Sequence, residues 1–160
     1  MKYQLTIIFT IYFLSCQESN RYLQNIPEEE NVKEVVFRLQ IEHGRVDDIY
    51  YLSFTSIDSK TNKLIDSDPS GEFIHRFNGL PQKVKPVSQC DLIDFFVKDK
   101  ITGEKGIILR IRSVSWLSET EALIESSSYR GPLDAGGINY KVQFQNNKWK
   151  IVSSEAMWVS

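Results

Sequence analysis

The most constraining feature of this chain is a change of period. From Gly106 to Trp116 the sequence GIILRIRSVSW sets Ile107, Leu109 and Ile111 against Ile108, Arg110 and Arg112. Such a period of two sorts side chains onto opposite faces only in an extended strand. One of those faces is core. Ala122, Ile124, Ser126 and Ser128 alternate with Leu123, Glu125, Ser127 and Tyr129 in the same way, and Tyr140, Val142 and Phe144 follow after the stretch RGPLDAGG. Asn146-Asn147 then supplies residues that tolerate the positive φ of a two-residue hairpin turn, and Trp149, Ile151 and Val152 return. The C-terminal part is therefore an antiparallel meander.

Upstream the period is 3.6. Val32, Val35, Val36 and Leu39 stand at i, i+3, i+4 and i+7, a single stripe along a helix. Asn25 with Glu28 reads as a capping box, Pro27 suits a first turn, and Glu28, Glu29 and Glu30 meet the positive end of the helix dipole. Gly44 supplies the stop, with His43 as a C-terminal helix residue. Ile49 to Ile57 reads as a strand followed by the polar turn DSKTNK. Asp68 as N-cap with Pro69 in the first turn opens a second, short helix that closes at Gly79, its apolar set being Phe73, Ile74 and Phe77. Val84 to Val87, interrupted by Pro86, reads as an edge strand, and Leu92 to Val97 as a further strand. The expected architecture is α+β: an N-terminal helix and a short second helix packed on a curved antiparallel sheet.

The first sixteen residues carry a different signal. Lys2 precedes the uncharged run Leu5 to Leu14, about half the roughly 20 residues needed to cross a bilayer, as in an export signal. The sequence Phe13-Leu14-Ser15-Cys16 resembles the lipobox of bacterial lipoproteins. That resemblance implies cleavage after Ser15, acylation of Cys16 and attachment to a membrane through lipid. Gln17 resembles the outer-membrane rather than inner-membrane sorting pattern. The expected organisation is a signal peptide over 1–15, a polar tether over 16–27 (CQESNRYLQNIP) and one domain over 28–160.

Helix first and meander last also resembles, in element order, the nuclear transport factor 2-like and cystatin-like group of cone-shaped folds. Gly131 to Val152 (GPLDAGGINYKVQFQNNKWKIV) with Trp158 resembles the ending of small bacterial exported proteins of unassigned activity. Neither resemblance implies a particular reaction.

Composition narrows the function classes. Residues 16–160 carry 18 Lys plus Arg against 21 Asp plus Glu, without the basic face that nucleic-acid binding requires. Only Cys16 and Cys90 are present, and acylation of the first leaves no internal disulfide. Cys90 reads as a small buried hydrophobe. His43 and His75 fall on different helices, which argues against a metal site, and no cofactor is expected. The glycines of RGPLDAGG precede a strand, so a wide hairpin loop is the simpler reading than a phosphate cradle. Ser126, Ser127 and Ser128 suit cross-strand contacts rather than nucleophilic chemistry.

Two further groups stay open as sites. Trp116, Tyr129, Tyr140, Trp149 and Trp158 form an aromatic set that either packs the core or walls a site for a lipid, glycan or peptide. The resemblance to cone-shaped folds implies a hydrophobic mouth, for which Asp91, Asp94, His75 and Tyr129 are the candidates for acid–base work. The expected function is a non-catalytic, lipid-anchored envelope domain that binds a partner or small apolar ligand. The alternatives are a small acid–base enzyme of the cone-shaped class, or a structural or inhibitor-like envelope protein.

Overall fold

The computed structural model describes residues 28–46 and 48–160. The signal-like segment, Ser15, Cys16, the tether and the capping residues Asn25 and Pro27 lie outside those residues. The first helix, α1, covers residues 28–42 of the described chain. Val32, Val36, Phe37 and Ile41 are wholly buried along its stripe, with Val35 and Leu39 flanking them. Gly44 does follow the helix, but without the positive φ of a left-handed cap. Close packing accounts for it: a Cβ there would lie 1.9 Å from the Tyr50 hydroxyl.

Strand β1 (Ile49–Ile57) is the hinge of the topology. On one side it runs parallel to β6 (Gly106–Ser118), with Ile49 to Phe54 opposite Gly106 to Ile111. On the other side its first half runs parallel to β3 (Lys83–Pro86) and its second half pairs antiparallel with β2 (Leu64–Ser67). After β6 come β7 (Glu121–Gly131), β8 (Asp134–Gln145) and β9 (Lys148–Val159), giving the order β2-β1-β6-β7-β8-β9. The sheet is thus mixed and mostly antiparallel, rather than antiparallel throughout. The long connection between β1 and β6 carries the second helix and permits the parallel pair.

The fold departs from the sequence reading at three points. Helix α2 is only Gly71–His75, and its cap is Ser70, whose hydroxyl accepts from the Phe73 amide; Asp68 instead accepts from the Ser88 amide and ties two loops together. So short a helix has no stability of its own. Phe73 and Phe77 hold it by edge-on packing against Phe37 and Phe54, while Arg76 pairs with Glu30 and Glu34 of α1. The stretch expected as one strand from Leu92 is a hairpin, β4 (Cys90–Ile93) and β5 (Phe96–Asp99), reversing at Asp94 and Phe95, both at positive φ. No Gly or Asn marked that turn. The stretch expected as a wide loop is a tight Pro132-Leu133 turn, with Asp134 to Gly137 already in β8.

The sheet buries apolar side chains on both faces. Tyr50, Leu52, Leu109, Ile111, Ala122, Ile124, Tyr140, Val142 and Trp149 meet α1 and α2 in the main core. On the opposite face Ile49, Tyr51 and Ile108 meet Cys90 and Val97 of the β4–β5 hairpin. Ile108 is therefore buried although it sits on the face of Arg110, because the hairpin covers only that end.

Candidate functional site

A furrow runs between α1 and the first half of β9. At the α1 end it is a cavity of about 710 Å³ bounded by Glu28, Asn31, Glu34, Arg38, Phe144 and Trp149, among others. Val35 and Arg38 also line its continuation, about 420 Å³, toward Leu39, Glu42, Lys150 and Ile151. The floor is apolar because Trp149 and Ile151 alternate onto the helix side of β9 while Val35 and Leu39 sit on the flank of the helix stripe. Trp149 is 8% exposed, packs edge-on against Trp116 at 5.5 Å between ring centroids, and lies 5.4 Å from Phe144. Its indole N–H donates to the Glu28 carboxylate, which pins the start of the described helix to the sheet. The rims carry both signs, Glu34 and Glu42 on the helix and Lys148 and Lys150 on the strand.

Beside the furrow, β9 pairs only with β8, so among the described residues its outer edge has no partner strand. Two register shifts, at Lys141/Val142 and Gly137/Ile138, leave Val152 and Met157 as extra residues on β9. Bulges of this kind interrupt an edge and limit open-ended pairing. The regular segment Lys148 to Ile151 is the one that borders the furrow.

The aromatic set of the sequence divides between the two faces. Trp116, Tyr140 and Trp149 lie with the main core, and Tyr140 is buried, its phenol pushed up by that burial. Tyr129 is on the opposite face, its hydroxyl donating to the Phe95 carbonyl at 2.8 Å. Trp158 pairs with Gly137, and a Cβ on that glycine would meet the indole at 2.3 Å. The structure therefore gathers Trp116 and Trp149 with Phe144 and leaves Tyr129 and Trp158 elsewhere. His43, His75, Asp91 and Asp94 are all exposed. Among the described residues no group of three or more His, Cys, Asp or Glu is placed to hold a metal ion, and no helix is long and apolar enough to cross a membrane.

Among the carboxylates with displaced pKa values, Asp58 ties only its own turn, whereas Asp99 and Asp66 join elements. Asp99 accepts from Lys85, from the Tyr51 hydroxyl at 2.6 Å and from the amides of Ile101 and Thr102; the Lys85 ammonium first, then these donors, hold it well below the usual carboxylate range. Burial, reinforced by Asp99, pushes the Tyr51 phenol up. For Asp66 burial works against ionisation, but the paired N–H groups of Arg110 and the Ser53 hydroxyl outweigh it and its carboxyl is lowered. Burial raises the Cys90 thiol to about 11, and its Sγ donates to the Val87 carbonyl.

Sequence reasoning placed Val35 in the helical stripe but assigned neither it nor Arg38, Lys148 or Lys150 to a site. The available signal was the flank of the helical stripe and the alternation through Trp149, which locate a seam but not the fact that it stays open. Comparison with protein-family models, with curated proteins and with solved structures finds no match.

Proposed function

We propose that this chain is an envelope lipoprotein, acylated at Cys16, whose domain is a non-catalytic binding module. Its site is the furrow between α1 and β9, and its partner presents an extended polypeptide segment. The observation that carries this reading is the juxtaposition of an apolar-floored furrow with a strand edge unpaired among the described residues. A strand laid along β9 would gain main-chain hydrogen bonds, while its alternate side chains would enter the furrow. Rims of both signs suit a peptide of mixed charge better than a lipid tail or an uncharged glycan. Engagement of Asp99 and Asp66 in structural ties supports binding over acid–base chemistry. The likeness to nuclear transport factor 2-like and cystatin-like folds belongs to the same proposal.

Two experiments test it. A full chain carrying Cys16→Ser, panned against a random-peptide library, is expected to enrich peptides whose affinity falls about tenfold or more for Lys148→Glu/Lys150→Glu, both exposed positions. Peptides that bind this variant equally well would remove the furrow from the account. For the anchor, intact mass of protein extracted from membranes is expected to show acyl mass on a chain beginning at Cys16. An unmodified soluble product cut elsewhere contradicts it.

A further inference from the structure

A second surface lies away from the furrow, at the end of the sheet where β7 turns into β8. Two turns stand side by side there, Asp94-Phe95 at the tip of β4–β5 and Pro132-Leu133 between β7 and β8. They are locked together by the Tyr129 hydroxyl on the Phe95 carbonyl and by the Phe96 ring lying against Gly131. Asp94 apart, the side chains at these apexes are apolar and exposed: Phe95 is 74% and Leu133 90% accessible, with Leu92, Ile93 and Phe96 beside them. A largely apolar, open cavity of about 390 Å³ lies at the β7–β8 apex, lined by Phe96, Gly131, Pro132 and Leu133 with Arg130 and Asp134 beside them.

Local structure does not explain Phe95. It occupies the left-handed region, φ 67°, in a turn where Asn-Gly is the favoured pair, and its ring is not buried in return. An aromatic side chain covers about 150–250 Å² in full, so this partly exposed set amounts to a few hundred Å², short of the roughly 800 Å² per partner of a stable protein complex. Two projecting tips with an open cavity beside one of them also fit a rigid partner poorly. A fluid phase moulds itself to such an outline.

Charge points the same way. Lys105 lies 5.7 Å from the centre of the Phe96 ring, and Lys98 is bridged to Lys105 through the backbone. Among the described residues neither ammonium has an anionic partner within salt-bridge distance, whereas Lys100 pairs with Asp91 and Arg130 with Asp48 and Asp134. The opposing groups are Asp94, exposed at the tip itself, and Asp134, exposed beside Leu133 but paired with Arg130.

We propose that the paired apexes dip into an anionic phospholipid bilayer, with Phe95 and Leu133 at the acyl boundary and Lys98 and Lys105 among the phosphates. The inference does not depend on acylation of Cys16 or on the furrow. It is tested with an environment-sensitive fluorophore on Leu133→Cys in a full chain carrying Cys16→Ser, buried Cys90 being shielded from the label. Vesicles of phosphatidylethanolamine and phosphatidylglycerol are expected to blue-shift and brighten the label at 133 but not one on Asn147→Cys at the other end of the sheet. Phe95→Asp is expected to weaken the response about tenfold or more, Phe95→Gly to weaken it with the fold intact, and Asp94→Asn to strengthen it. The proposal is overturned if the label at 133 keeps its water-exposed emission while the protein sediments with vesicles, or if both labels respond alike. A response that follows protein concentration without vesicles would assign the tip to self-association, and one equally strong on phosphatidylcholine alone would remove the lysines' role.

Discussion

At the scale of single residues, Trp149 joins the fold to the proposed site. It packs against Trp116 and Phe144, floors the furrow and donates to Glu28. Truncation to Ala is expected to cost about 3–5 kcal/mol, and Trp149→Phe, which keeps most of the packing and loses the indole donor, about 1 kcal/mol. Urea midpoints measure both; equal losses for the two variants would show that the Glu28 contact, not packing, matters. Asp99 gives a test in pH. Its folded-state pKa lies below the unfolded value of about 3.9, so its contribution is present above that pH and is lost as pH falls through the folded value. Unfolding measured across pH should therefore show Asp99→Asn weaker than the parent near neutrality, with the gap narrowing below about pH 4. A gap independent of pH would mean that the carboxylate's charge contributes nothing.

At the scale of elements, the β4–β5 hairpin departs furthest from local preference. Phe95→Gly is expected to stabilise the chain by about 1 kcal/mol, by relieving a non-glycine residue at positive φ. A lower melting temperature for this variant would show that the ring's residual contacts outweigh the backbone strain. The same hairpin shows why some elements were legible in the sequence and others were not. The meander could be read because Leu109, Ile111, Ile124, Tyr140 and Val142 alternate against one core face. Leu92 to Val97 could not, since a run broken only by Asp94, without Gly, Asn or Pro, carries a weak mark of reversal and its turn is held by contacts with Tyr129 and Gly131. Strand β2 was hidden similarly: Leu64–Ser67 are all exposed, and Asp66 belongs there because Arg110, distant in sequence, holds it.

At the scale of the whole molecule, the proposed functions separate along the sheet. The furrow and the start of the described helix lie toward the β8–β9 turn, and the apolar apexes lie at the β7–β8 end. β8 is 12 residues long, about 40 Å at strand rise, and the twelve residues 16–27, the proposed tether, would span about the same length if fully extended. A chain held by lipid at Cys16 can thus reach one membrane surface with its apexes while β9 remains accessible. The sequence showed aromatic residues in quantity, and alternation alone sets Trp149 and Trp158 on opposite faces because the two bulges of β9 cancel in phase; what no local pattern marks is the surroundings each meets, Trp116 and Phe144 for the first and Gly137 for the second. Amide hydrogen exchange of the full chain, with and without a peptide selected by panning, tests the central claim most directly. Slowed exchange confined to Lys148–Ile151 and the facing side of α1 is the expected result; protection elsewhere, or none along β9, would contradict binding at that edge.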